Sequence, residues 1–230
     1  KGGNAMSGPV YGVGVGPGDP SLLNLKAGEL LRAADVIAFP DTGGEQTALG
    51  IVKPYIEGKP VLECPSPMTK DRLLLQKSRE EAADRLCKAL DAEKTVVFIT
   101  LGDPTVYSTY AYLHRLVKAR GYAAQMVPGV PSFCAVAATL DLPLCEGGEA
   151  LHIYPAAYGD IQKKLTLSGN VVFMKAGSRL QEIKEQVQAT GRQAGAVSCC
   201  GMPEEKRYAH LEEASASASY FTTVVVKGED

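Results

Sequence analysis

The sequence predicts an α/β protein of two domains: a parallel α/β domain over residues 6–122 and a mixed-sheet α/β domain over residues 123–230. Three observations lead there. Up to about residue 122, short β-branched apolar runs alternate with helical patterns, as parallel strands joined by crossover helices do. From about residue 150 strand patterns crowd together, with one strong helix among them. At 95–104, TVVFITLGDP opens with a run of β-branched and aromatic residues, which suits a strand buried on both faces.

The elements follow in order. YGVGVG (11–16) is a short strand, and helical spacing follows through Leu25, Leu30 and Leu31. ADVIAFP (34–40) is a second strand, ended by Pro40, and QTALGIVKPYI is a short helix. KPVLECPSP (59–67) is a strand running into a Pro-rich loop. Residues 70–92 carry the longest helical pattern, with Leu75, Ala82, Leu86 and Leu90 on its apolar face. After the 95–104 strand, TVYSTYAYLHRLVKARGY is a helix ending at Gly121. AAQMVPGVP is a strand and turn, and SFCAVAATL a helix of small residues. HIYPA, NVVFMKA, AGAVSCCG, KRYAH and SYFTTVVVKG are strands, and SRLQEIKEQVQA (178–189) is the helix among them. EEASASAS (212–219) is an exposed connector.

Composition excludes several classes. With 45% hydrophobic and 22% charged residues the chain can bury a sizeable core. A net charge of −2 leaves no nucleic-acid footprint over the whole surface. No apolar run reaches the roughly 18 residues a membrane span needs, and no secretory leader is evident, so a cytoplasmic protein is expected. KGGNA ahead of Met6 reads as an added remnant. None of the six cysteines stands in a C-x-x-C. Cys199 and Cys200 are expected on one strand, facing opposite ways. All six read as small buried hydrophobes in a reducing compartment, with no metal site.

VGVGPGDP invites a dinucleotide reading, which fails in detail. A G-x-G-x-x-G run starting at Gly14 needs a third glycine where Asp19 stands, and one starting at Gly12 needs it at Pro17. Pro17 removes a backbone N–H where a pyrophosphate wants donors, and Asp19 adds a negative charge beside it. The stretch reads better as a stiff, tight turn. A second Gly-Asp-Pro, LGDPTVYS (101–108), again follows a buried strand, and VPGVPS (127–132) is a third Gly/Pro turn after a third strand. Turns at the carboxyl ends of parallel strands face the edge where open α/β sheets bind ligands.

In this order and spacing, VGVGPGDP, ITLGDPTVYS, VPGVPS, VVFMKAG and VSCCGMPEEKRY resemble the tetrapyrrole methylase family, over residues 11–208. The chain looks closest to the branch that methylates precorrin-2, or cobalt-factor II, at C20. YGVGVGPGDPSLLNLKA, ADVIAFP, the CPSPMTKD loop, GDPTVYSTY and YFTTVVVK carry that likeness. Uroporphyrinogen methylases usually have G-G-D-P, and here Leu101 replaces the first glycine. The resemblance implies two α/β domains with an active-site cleft between them, S-adenosylmethionine as methyl donor, a small-molecule tetrapyrrole as partner, and a homodimer. A family member with a different acceptor, uroporphyrinogen or another precorrin, is the alternative.

By matching motif, the resemblance places Pro17, Gly102, Asp103, Val106, Ser132, Met174, Gly201 and Met202 at the cofactor, with Met174 on the adenine. Pro131 departs from the family's usual Thr-Ala there. Tyr107 and Asp103 fall near the methyl group and are the catalytic candidates, although an Asp in such a turn can equally cap the next helix. A substrate with eight carboxylates calls for basic residues, and Lys70 and Arg72 are the first candidates, with Arg79 and Lys175 behind. Loop 64–72 is a candidate lid. His114 reads as a packed or surface residue, and His152 as a strand residue.

Overall fold

The computed structural model describes residues 8–42, 47–215 and 218–228. KGGNA, Met6, Gln46 and the middle of EEASASAS lie outside the described residues.

The chain divides into two units after Val130. The sequence reading put this division after Tyr122. It falls later because the strand at Ala124–Val127 pairs with the first strand of the chain and so belongs to the first sheet.

The first unit runs β1 (Val10–Gly14), α1 (Leu25–Ala33), β2 (Val36–Asp41), α2 (Thr47–Val52), β3 (Val61–Pro65), α3 (Arg72–Asp91), β4 (Val96–Thr100), α4 (Tyr110–Ala119) and β5 (Ala124–Val127). The sheet order is β3-β2-β4-β1-β5, with every pairing parallel. Alternate residues of β4 serve opposite faces, as a strand's period of two requires. Val96 and Phe98 join Leu86 and Leu90 of α3 and Leu113 and Val117 of α4. Val97 and Ile99 join Ala27 and Leu31 of α1 and Ile51 of α2. The expected burial of this strand on both faces is borne out.

Gly12 is a packing residue. A Cβ there would fall 1.9 Å from the ring of Tyr110, which is fully buried. The Tyr110 hydroxyl donates to the Gln125 carbonyl at 3.2 Å. The helix expected from Thr105 starts only at Tyr110. Tyr107 interrupts it with a left-handed backbone, φ 48°, and the Ser108 hydroxyl accepts the Tyr110 N–H at 3.1 Å.

The second unit holds α5 (Ser132–Thr139), β6 (Leu151–Pro155), α6 (Ile161–Leu165), β7 (Asn170–Met174), α7 (Leu180–Thr190), β8 (Ala194–Ser198), β9 (Lys206–Tyr208) and β10 (Thr222–Val226). Its order is β6-β7-β10-β8-β9. β6 and β7 are parallel and the remaining pairs antiparallel, so the sheet is mixed, as expected. Val171, Phe173, Ala196 and Val224 pack against Leu180, Ile183 and Val187 of α7 and Ile161 and Leu165 of α6. The sequence reading missed α6, a helix of five residues capped by Asp160. Cys199 and Cys200 are not on a strand. β8 stops at Ser198, and Cys199 enters a turn with φ 52°.

Candidate active site

In a parallel sheet all carboxyl-terminal strand ends lie at one edge. In the first unit, β4, β1 and β5 are neighbours, so the three Gly/Pro turns stand side by side. They touch through bare backbone. A Cβ on Gly14 would fall 2.5 Å from the Gly102 carbonyl oxygen and 2.6 Å from the Gly129 nitrogen, and one on Gly129 only 2.2 Å from that same oxygen. Gly102 and Gly16 exchange backbone hydrogen bonds, the Gly102 N–H donating at 2.8 Å and the Gly16 N–H at 3.3 Å. Both backbone groups of Gly102 are therefore engaged within the protein.

Two side chains lock the third turn to the others. Asp103 Oδ2 accepts the Gly129 N–H at 2.9 Å, while its Oδ1 accepts from the Thr105 N–H at 2.7 Å and the Thr105 hydroxyl at 2.5 Å. Asn24 caps α1 by accepting the Ala27 N–H at 2.8 Å, and its Nδ2 donates to the Pro128 carbonyl at 2.6 Å. Pro17, Gly102 and Asp103 are buried at this edge and Val106 is half-buried.

The two residues after Tyr107 are anchored through their hydroxyls. The buried Ser108 hydroxyl bonds Thr100 Oγ1 at 3.0 Å, and Thr109 Oγ1 lies 3.2 Å from Ser66 Oγ. A left-handed Tyr costs energy that the surrounding bonds must offset, and such strain gathers at functional sites. Tyr107 as a residue is 48% exposed. Ser66 lies near the start of the expected 64–72 lid, and its N–H donates to the Asp41 carbonyl at 2.8 Å. Asp71 closes the segment by capping α3 through Leu73 and Leu74. Lys70 and Arg72 are exposed and form no ion pair among the described residues. They follow β3, two strands from β4, and no hydrogen bond or ion pair joins them to the glycine turns among the described residues. Arg79 stacks on the Tyr112 ring, 3.5 Å from its centroid.

In the second unit the ends of β6, β7 and β8 and the entry to β10 share one edge. Ala156 N–H donates to Met174 O at 2.8 Å, Ala176 N–H to Thr222 O at 2.8 Å, and Cys199 N–H to Phe221 O at 3.0 Å. Met174 is buried at the end of β7. Gly201, φ 75°, donates its N–H to Glu205 Oε2 at 2.6 Å, and the Met202 N–H donates to Cys199 O at 2.9 Å. Met174, Gly201 and Met202 thus lie on one edge. Ser132 opens α5, which packs against β7, β8 and β10.

The two histidines in question are structural. His114 packs its ring 5.6 Å from that of Tyr110, and burial lowers its pKa. His152 Nε2 donates to the Ser168 carbonyl at 3.0 Å. Among the described residues, no three His, Cys, Asp or Glu side chains are grouped to hold a metal, and no helix is long and apolar enough to cross a membrane.

The sequence profile of the tetrapyrrole (corrin/porphyrin) methylases matches residues 9–215. The chain belongs to that family. This methylase is 42% identical to a probable cobalt-precorrin-2 C(20)-methyltransferase of Methanocaldococcus jannaschii, over 75% of this chain and 74% of that one. It is 32% identical to the cobalt-precorrin-2 C(20)-methyltransferase of Salmonella typhimurium, over 96% and 97% of the two chains. It is 31% identical to a precorrin-2 C(20)-methyltransferase of a Sinorhizobium species, over 96% of each. The crystal structure of a cobalt precorrin-4 methyltransferase shares the fold, with a TM-score of 0.76 at 20% identity, covering 95% of this chain and 94% of that one.

Sequence reasoning missed three groups at the methylase's two strand edges. Asn24 reads as an N-cap, but its bond to Pro128, 104 residues away, has no local signal. Ser66 and Ser108 sit inside quoted motifs, yet their hydroxyl bonds depend on which loops meet. Tyr158 lies in no quoted motif, Tyr220 only opens YFTTVVVK, and the sheet order is what brings both beside Lys175.

Proposed function

We propose that this methylase transfers a methyl group from S-adenosylmethionine to C20 of precorrin-2, or of its cobalt-bearing counterpart, in cobalamin biosynthesis. The meeting of three Gly/Pro turns at the ends of β4, β1 and β5 supports this reading most directly. Three adjacent turns without side chains at their closest points form a stiff, low edge fit for a flat, functionalised ligand. The activities of the similar methyltransferases suggest the reaction class and acceptor.

The donor supplies a methyl group already activated on a sulfonium. The chain therefore needs no strong nucleophile and acts mainly by alignment, worth on the order of 7–11 kcal/mol in favourable cases. At the first edge we assign Pro17, Asp103 and Val106 to the donor, with Gly102 giving shape rather than hydrogen bonds. On the second edge we assign Met174, Gly201 and Met202, the thioethers covering the adenine, and Ser132 beside them. Tyr107 is the residue we place at the reacting carbon, because it is exposed while the two residues after it are anchored. Asp103 has a holding role, since both its oxygens already accept backbone or hydroxyl hydrogens. Lys70 and Arg72 take substrate carboxylates at the rim. Any closing of the segment between them and Cys64 is confined to residues 67–70, because Ser66 and Asp71 are pinned. The working form is a homodimer, which light scattering checks.

The test is transfer from labelled S-adenosylmethionine to metal-free precorrin-2, cobalt-factor II and uroporphyrinogen in parallel. A single trimethylated product from either of the first two supports the reading. Transfer to uroporphyrinogen alone replaces it with the second reading, another acceptor on the same fold.

A further inference from the structure

Lys175 directly follows β7, between Met174 and Ala176. Its backbone is left-handed, φ 56°, a conformation that side-chain-bearing residues rarely adopt. The neighbouring groups hold it there. The Met174 carbonyl accepts from Ala156 and the Ala176 N–H donates to Thr222, both at 2.8 Å. The direction in which the side chain leaves the sheet edge is thereby set by the fold.

The ammonium meets aromatic neighbours and no acid. Nζ lies 5.8 Å from the centroid of the Tyr220 ring, and Tyr158 is the other group that acts on it electrostatically. No ion pair or hydrogen bond engages it among the described residues. The other inward-reaching cations of this unit are committed. Arg179 holds Glu182 and two carbonyls, Lys164 the Tyr158 carbonyl, Lys184 two carbonyls, and Lys227 Glu149 and the Pro143 carbonyl. A half-buried ammonium without a counter-ion costs stability, and burial lowers its pKa accordingly. A fold that keeps a strained, unpaired cation beside Met174 is arranged to receive an anion from outside the chain.

We propose that Lys175 is a carboxylate anchor, completing its ion pair with a carboxylate of a ligand bound at this edge. The proposal rests on the reaction proposed above. Both of that reaction's small molecules carry carboxylates: the amino-acid end of the donor and the rim of the tetrapyrrole. The Tyr220 ring keeps the ammonium in place until the carboxylate arrives.

The test compares wild type, Lys175→Met and Lys175→Arg by steady-state kinetics with precorrin-2 and by calorimetric binding of S-adenosylhomocysteine. Removing the charge is expected to raise either the tetrapyrrole KM or the S-adenosylhomocysteine dissociation constant at least ten-fold, and the arginine variant to recover most of the loss. A raised KM for the tetrapyrrole with unchanged S-adenosylhomocysteine affinity assigns the substrate's carboxylate. Weakened S-adenosylhomocysteine binding assigns the donor's. The methionine variant should also melt at the same or a higher temperature, because an unpaired charge is gone. Unchanged binding of both ligands overturns the proposal, as does a fall in kcat alone, which would mean proton transfer. Wild-type turnover separates the two levels. If wild type methylates no tetrapyrrole, the proposed reaction falls and the anchor with it. If wild type is active and both constants hold in the variant, the anchor alone falls.

Discussion

The carboxylate of Asp103 accepts the backbone N–H of Gly129 at 2.9 Å, tying the turn after β4 to the turn after β5 across the end of β1. Its other oxygen accepts twice from Thr105. Replacing it with Asn must turn an NH2 group toward one of these donors. Asp103→Asn is therefore expected to lose about 1–3 kcal/mol of stability, the cost of an unsatisfied buried donor. Denaturant unfolding checks this, and S-adenosylhomocysteine binding should weaken in parallel. A variant with native stability and affinity but no turnover would restore Asp103 as a proton-transfer group.

Gly129 has no space for a side chain, since its Cβ would meet the Gly102 oxygen at 2.2 Å. Gly129→Ala must push the third turn off the second. The expected result is loss of S-adenosylhomocysteine binding in a protein whose far-UV circular dichroism is retained. Gly50 on α2, where a Cβ meets nothing within 4 Å, is the control position, and Gly50→Ala should leave ligand affinity as it was.

Acid should weaken the fold through Glu149. Its carboxylate accepts the Asn170 side-chain N–H at 2.8 Å and the Glu146 backbone N–H at 2.9 Å, which hold its pKa below the usual 4.5. A depressed folded-state pKa contributes stability that is present above the ordinary value and lost as pH falls through the folded one. Melting temperatures followed from pH 7 downward should fall below about 4.5, where unfolded glutamate begins to take up protons. Glu149→Gln should melt below wild type at neutral pH, and the gap should narrow in acid. A constant gap at every pH would show that the shift plays no part.

Thiol chemistry should separate the cysteines. Burial pushes the Cys64 thiol up to about 12, whereas Cys145 is exposed. At pH 8 roughly one Cys64 in ten thousand is ionised, and only the thiolate reacts. Iodoacetamide should label Cys145 in the native protein and reach Cys64 only after denaturation, as mass spectrometry of the peptides can show.

Much of this was legible before folding because it is written locally. The β4 run shows its burial through its own β-branched and aromatic residues, and Gly121 marks a helix end through the conformation glycine permits. The start of α4 was misread because TVYSTY has helical spacing, while the left-handed Tyr107 depends on hydroxyl bonds to Thr100 and Ser66 from other parts of the sheet edge. The early domain division had the same origin, since nothing around Ala124 says that it pairs with Val10.

By itself, the sequence determined the alternation of strands and helices, the mixed character of the second sheet, and the turns whose order marks a tetrapyrrole methylase. These are properties of neighbouring residues, and hydrophobic period and turn chemistry record them directly. Only the tertiary structure decided that β4, β1 and β5 stand side by side, that Asp103 and Asn24 clamp one glycine turn, and that Lys175 faces two tyrosines and no acid. The physical reason is that periodicity tells a strand which face to bury but not which strand to join. Contacts between residues a hundred positions apart exist only once the sheet order has been chosen.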